Sequence, residues 1–194
     1  MSTRHAVAFN GSPRKGGNTE ILLKKVLAEL SVEGIQTELI QIGGKLIHGC
    51  TACGKCREMK NSKCAITNDE LNSYIEKALS AEIILLGSPT YFADISSEMK
   101  ALIDRMGFVT RGNGSLLKNK IGAAVMAVRR AGSIHAFDSI NHFFLISGMI
   151  IAGSTYWNLG VGKEKGEVEK DAEGMENMAD LGKRIAWLAK KIYS

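Results

Sequence analysis

Ile83-Ile-Leu-Leu86 runs apolar without a break and stops at Gly87-Ser-Pro89. A strand with one face in water alternates apolar and polar residues, so an unbroken apolar strand must be covered on both faces, as at the centre of a parallel sheet. Parallel neighbours cannot be joined by a tight turn. Each needs a crossover, normally a helix, and the rest of the chain is constrained to supply one between every pair of strands.

The pattern on either side meets that demand. Ala6-Val-Ala-Phe9 predicts a first strand, and Ile21, Leu22, Val26, Leu27 and Leu30 recur at helical spacing up to Gly34. Ile35, Thr37 and Leu39 alternate with Gln36 and Glu38 in a second strand that ends at Gly43-Gly44. Thr67-x-x-Glu70 has the form of a capping box ahead of Leu71, Tyr74, Ile75 and Ala78. A helix is predicted from about Ser97 to Arg105, strands over 121–128 and 149–152, and between them a helix carrying Ile134, Phe137, Ile140 and Phe144. Met175, Met178, Leu181, Ile185, Leu188 and Ile192 mark a last helix. The expectation is one α/β domain over 1–194, a doubly wound five-stranded parallel sheet with helices on both faces and a cysteine-rich insertion at about 45–66.

Composition narrows the function classes. The 25 Lys and Arg exceed the 20 Asp and Glu by five, but they fall in scattered pairs such as Lys24-Lys25, Arg129-Arg130 and Lys190-Lys191. A nucleic-acid-binding surface needs a basic patch or a motif, and neither is present. The most apolar stretch, 143–152, holds Ser147 and Gly148 and is far short of the ~20 residues that span a bilayer. The N-terminus lacks the basic and apolar segments of a secretory signal, so a cytoplasmic location is expected.

In an open parallel sheet ligands sit beyond the carboxyl ends of the strands. The loops there are 11–18, 50–64, 88–94 and 129–133. The first, Gly11-Ser-Pro-Arg-Lys-Gly-Gly-Asn-Thr19, opens a helix, whose free N–H groups and dipole favour an anion, and it offers Ser12, Arg14, Asn18 and Thr19 as donors. Gly11 to Gly16 matches the spacing of a nucleotide-triphosphate loop, yet Gly17-Asn18 stands where Lys-Ser or Lys-Thr should follow. It is not the dinucleotide pattern either, which leaves a cradle for a terminal phosphomonoester. In the third loop Tyr91 and Phe92 offer flat surfaces to a planar ring.

Together, GSPRxxGNT after the first strand and SPxYxxxxSxxMKxxIDR after the third resemble the flavodoxin-like NADPH-dependent FMN reductase family; Met99, Lys100, Ile103, Asp104 and Arg105 all stand in place. The resemblance implies strand order 2-1-3-4-5 and bound FMN. Ser12, Arg14, Asn18 and Thr19 would hold the phosphate, with Gly16 and Gly17 admitting backbone. Pro89, Thr90, Tyr91, Phe92 and Asp94 would contact the isoalloxazine, and Arg129, Arg130, Ala131 and Gly132 would close over it. Relatives are richer in glycine in that last loop.

All four cysteines lie in the second loop. Cys50, Cys53 and Cys56 have the CxxCxxC spacing that opens a bacterial ferredoxin run, which lets one winding segment present three sulfurs to a cubic cluster. Cys64 follows after seven residues and without the proline of ferredoxins, so any cluster must be single. Structural zinc sites pair two separated CxxC units, a poorer match even with His48 as a substitute ligand. The arrangement resembles the iron-sulfur flavoprotein branch of the same family. It implies a [4Fe-4S] cluster on Cys50, Cys53, Cys56 and Cys64, electron transfer to FMN, a homodimer or homotetramer, and a ferredoxin or NAD(P)H as redox partner. Two alternatives stay open at this point: an NAD(P)H-dependent FMN or quinone reductase with ordinary loop thiols, and a zinc- or thiol-based redox sensor.

Overall fold

The computed structural model describes residues 4–193. The apolar run becomes β3 (Ile83–Pro89), all of whose residues are buried. It lies between β1 (His5–Asn10) and β4 (Ile121–Val128), with β2 (Gln36–Gln41) beyond β1 and β5 (Ile150–Ile151) beyond β4. Every pairing is parallel and the order is β2-β1-β3-β4-β5, the flavodoxin-like arrangement the motifs imply.

Alternation along the buried strands sorts side chains into two cores. Val7, Phe9, Ile84, Leu86, Ala124 and Met126 face one side; Ala6, Ala8, Ile83, Leu85, Ala123 and Val125 face the other. The first side is covered by α3 (Leu71–Ser80), α4 (Ser97–Gly112) and α5 (Ser133–Ile146), the second by α1 (Asn18–Val32) and α6 (Ala172–Ile192). Each large aliphatic side chain of 83–86 removed from water contributes about 1.5–3 kcal/mol, which is why the run must be central. Among the described residues no helix is long and apolar enough to cross a membrane.

Several local expectations change. A sixth strand, β6 (Leu159–Val161), pairs with Met126–Val128 of β4, while β5 pairs with Ile121 and Gly122. The outer edge of β4 is therefore shared between two short strands, separated by an excursion that carries Tyr156 and Trp157. Thr67 caps nothing: α3 begins after Glu70 without a side-chain cap, and the Asp69 carboxylate takes the Leu71 N–H at 3.2 Å. Glu70 accepts instead from the Tyr74 hydroxyl at 2.8 Å and pairs with Lys45. The helix predicted to end at Arg105 runs on to Gly112, capped by the Ser96 hydroxyl. Within the cysteine segment a single short turn forms, α2 (Lys55–Met59), with no buried residue.

Candidate functional site

A cavity of about 250 Å³ opens at the carboxyl edge of the sheet, lined by the loops after β1, β3 and β4. Its floor is braced from behind. The Asn10 carboxamide accepts from the Ser12 N–H at 3.0 Å and donates to Gln41 at 2.7 Å, and Gln41 donates to the Ser12 and Gly43 carbonyls at 2.6 and 2.8 Å. The ends of two neighbouring strands thus hold the loop between them. Gly17 precedes α1 with no side-chain cap, so the first-turn N–H groups stay available to a ligand. A Cβ on Gly17 would sit 2.7 Å from the Arg14 carbonyl, so this tight turn admits no side chain.

Eight of the residues singled out from sequence line the cavity: Ser12, Arg14, Asn18, Thr19, Pro89, Thr90, Tyr91 and Arg129. The Thr19 and Thr90 hydroxyl oxygens are buried without a hydrogen-bond partner, one in each of the two motif loops. An orphaned buried hydroxyl costs ~1–3 kcal/mol, and a ligand with acceptor oxygens would relieve it. These two atoms are the direct indication that the cavity is built for a polar occupant.

Asn18 has a different duty from the one its position implies. Its Nδ2 donates to the Gly162 and Glu164 carbonyls at 2.9 and 3.0 Å, and its Oδ1 accepts from the Gly166 and Val168 N–H groups at 2.9 and 3.4 Å. The carboxamide clamps the segment after β6 against the first loop. That segment brings Lys163 and Lys165 to the cavity, two cations that no motif announced. Lys165 approaches so closely that its Nζ would lie 3.4 Å from a Cβ built on Gly16.

Phe92, Asp94, Arg130, Ala131 and Gly132 do not line the cavity, nor do Gly16 and Gly17. Tyr91 and Asp94 exchange backbone hydrogen bonds of 2.8 and 3.0 Å around a two-residue turn that places Phe92 and Ala93 at φ 46° and 67°. Left-handed backbone costs a residue with a Cβ roughly 1–2 kcal/mol. The turn nevertheless lifts Phe92 wholly into solvent, at 108% exposure, so it packs under nothing. Asp94 anchors the turn through the Ile95 N–H and the Ser139 hydroxyl, both at 2.8 Å. Arg130 to Gly132 are exposed, and a Cβ built on Gly132 would lie 3.4 Å from Ala93 and 3.6 Å from Thr90, which places the fourth loop beside the third.

A second cavity of about 110 Å³ is lined by all four cysteines together with Arg57, Arg105 and Phe108. It lies along the flank of α4: Arg105 is eight residues past Ser97, ~12 Å down the helix at 1.5 Å per residue. The α4 residues Arg105, Phe108 and Val109 line this second cavity, and none of α4 lines the first. Burial, and then the nearby Cys64, Cys53 and Cys50, push the Cys56 thiol up. The Lys55 backbone N–H, outweighing some burial, draws the exposed Cys53 thiol down. The Ala52 N–H lies 3.4 Å from the Cys50 sulfur, and the Arg105 Nε–H lies 3.2 Å from the Cys64 sulfur.

No three His, Cys, Asp or Glu side chains among the described residues converge closely enough to hold one metal ion. The donor chemistry nonetheless fits an iron-sulfur cluster: four soft sulfurs surround one cavity, and N–H groups and a cation are directed at them.

A doubly wound parallel sheet with a polar cavity at its carboxyl edge, between the loops after β1 and β3, is the arrangement of a flavodoxin-like, FMN-dependent oxidoreductase. The comparisons agree. The profile of the NADPH-dependent FMN reductase family matches residues 5–164. An iron-sulfur flavoprotein of Methanocaldococcus jannaschii is 37% identical over 193 residues, covering 96% of this chain and 97% of that one. An iron-sulfur flavoprotein of Methanosarcina thermophila is 32% identical over 179 residues, covering 91% of each. Among solved structures, RosB with a bound 8-demethyl-8-formylriboflavin-5'-phosphate intermediate superposes with a TM-score of 0.79 at 17% identity, over 98% of this chain and 81% of that one. A WrbA-like flavodoxin of Agrobacterium tumefaciens gives 0.67 at 13% identity, over 98% and 99%. Both structural likenesses establish the fold. The chain belongs to the NADPH-dependent FMN reductase family, in its iron-sulfur flavoprotein branch.

Proposed function

We propose that this flavoprotein holds a [4Fe-4S] cluster on Cys50, Cys53, Cys56 and Cys64 and moves electrons between that cluster and FMN. The observation that carries the reading is the gathering of all four thiols, from a segment spanning Cys50 to Cys64, around a single cavity. A mononuclear zinc site draws four sulfurs to ~2.3 Å from one point. A cluster takes one sulfur to each iron, and four thiols lining one cavity supply that set. The curated relatives named iron-sulfur flavoproteins support the same reading.

When bound, FMN supplies the exchange between two-electron and one-electron chemistry and the cluster supplies single-electron transfer. The chain's own residues bind and orient. Ser12, Arg14, Thr19 and the backbone of Asn18 receive the FMN phosphate at the N-terminus of α1, and Gly16 and Gly17 shape the turn that lets that backbone approach, their own N–H groups going to Glu20 and to the Arg14 carbonyl. Pro89, Thr90 and Tyr91 form the platform for the ring, and Arg129 approaches it from the fourth loop. Phe92, Asp94, Arg130, Ala131 and Gly132 shape the rim around that platform. The strained, fully exposed Phe92 supports contact with another subunit, hence a homodimer or homotetramer in the cytoplasm. The redox partner is a ferredoxin or NAD(P)H.

Lys163 and Lys165 add charge to the phosphate end that the motif lacks. Lys165→Ala is expected to weaken FMN binding by ~1 kcal/mol, about fivefold, and to leave riboflavin binding unchanged, because riboflavin has no phosphate. Titrations with both flavins check it.

Replacing the four cysteines together by serine tests the reading itself. The variant is expected to bind FMN and to lose all iron and sulfide, along with electron transfer from a one-electron donor. Retention of that transfer by the serine variant would favour an NAD(P)H-dependent reductase whose thiols are idle.

A further inference from the structure

Among the described residues Arg105 is the largest fully buried side chain, with 1% of its surface exposed. It stands on α4, outside the cysteine segment, yet three of its hydrogen bonds go to that segment and a fourth to Asp69 just beyond it. Nη1 donates to the His48 carbonyl at 3.0 Å and pairs with the Asp69 carboxylate; Nη2 donates to the Ile66 carbonyl at 2.9 Å; Nε donates to the Cys64 sulfur at 3.2 Å. One guanidinium thus ties the entry to the segment, before Cys50, to its exit, after Cys64. The same exit is gripped from α3, where Asn72 accepts from the Cys64 N–H at 2.7 Å and donates to its carbonyl at 3.0 Å. Within the wide gap between Cys56 and Cys64 it is Asn113, at the end of α4, that bridges: its carboxamide donates to the Cys56 carbonyl at 3.1 Å and accepts from the Ser62 N–H at 3.0 Å, while Arg105 and Asn72 fix the Cys64 end.

A buried guanidinium requires a carboxylate partner, and Asp69 already provides it. The Nε–H on sulfur is in addition to that balance. A charge-assisted N–H donor strengthens as the sulfur gains negative charge, so it stabilises the reduced form of a metal centre ligated by that sulfur.

Resting on the cluster reading above, we propose that Arg105 is the positioning residue that completes the sulfur set, and that its Nε–H bond to Cys64 raises the reduction potential of the cluster. Lysine at this position keeps the charge and length but lacks the planar fork, so it cannot serve Asp69, Ile66 and Cys64 at once.

The test is an anaerobic redox titration of reconstituted wild-type and Arg105→Lys protein, following the cluster by electron paramagnetic resonance and FMN by absorbance. Arg105→Lys is expected to retain FMN and to show a cluster midpoint more negative than wild type with the FMN midpoint unmoved. An unmoved cluster midpoint, or equal shifts of both, would overturn the proposal and leave Arg105 a structural staple. A measurement on wild type stands in should the variant not fold. With 15N-arginine labelling, pulsed resonance should detect coupling between the reduced cluster and one arginine Nε, a coupling that survives Arg57→Lys. Its absence would also overturn the proposal. Wild-type protein that takes up no iron under reconstitution would overturn the cluster reading itself, and this inference with it.

Discussion

Replacing Asp69 by asparagine is expected to destabilise the fold by about 3–5 kcal/mol, the usual cost of leaving one partner of a buried ion pair alone. Asp69 and Arg105 have side chains 3% and 0% exposed, so the guanidinium cannot recover its lost partner from water. An exposed pair on the same helix, Lys100 and Asp104, has side chains 55% and 37% exposed. Its removal should cost at most ~1 kcal/mol. The Asp69 effect also carries a pH signature. Burial alone would push its carboxyl up, but the Arg105 guanidinium and the His48 and Leu71 N–H groups outweigh burial and hold it below the ordinary carboxylate range. A group whose folded value lies below its unfolded value stabilises above the unfolded value, roughly 4 for aspartate, and loses that stabilisation as pH falls through the folded one. Denaturant unfolding of the two proteins should therefore differ fully at neutral pH, begin to converge only below about pH 4, and go on converging as the pH falls through the lower folded value. A difference under ~1 kcal/mol at neutral pH would contradict the buried-pair account.

Gly43→Ala is expected to disable the phosphate end of the flavin cavity. The added Cβ would lie 2.3 Å from the Ser12 carbonyl carbon and 2.5 Å from the Gly11 oxygen. Both are backbone atoms of the first loop, so no side-chain rotation relieves the contact and the loop itself must move. Gln41, which donates to the Ser12 carbonyl at 2.6 Å, resists that movement. Overpacking of this kind costs about 1–3 kcal/mol in stability. Displacement of the cradle should weaken FMN at least roughly tenfold, or ~1.4 kcal/mol. Gly153→Ala is the control, since nothing lies within 4 Å of its added methyl and no change beyond ~0.5 kcal/mol is expected. Wild-type FMN affinity in Gly43→Ala would show that the first loop is not the phosphate site.

The parts of the fold legible in the sequence are those set by burial on both faces. Ile83 to Leu86 and Ile121 to Val128 announce strands because no polar residue interrupts them, and both are wholly buried. β6 stayed hidden because Leu159-Gly-Val161 is too short to show a period and exists only through its pairing with the end of β4. The capping box at Thr67 failed for a tertiary reason: Asp69 already faces Arg105 and His48, and from there it takes the first N–H of α3 as well. The flavin loops were visible as motifs, but the division of labour within them was not. Asn18 looks like a phosphate donor until its partners near residue 166, far along the chain, are known, and Lys163 and Lys165 lie beyond both quoted motifs. Arg105 was visible only as part of a motif; its bond to Cys64 spans 41 residues, a distance at which no local pattern informs.

The central claim is that the four thiols hold iron and sulfide beside a bound flavin. Anaerobic purification followed by assay of FMN, iron, acid-labile sulfide and zinc in the same sample tests it directly. The account predicts one FMN, with about four iron and four sulfide per chain and no zinc. One FMN with neither iron nor sulfide after reconstitution, or with a single zinc, would contradict it.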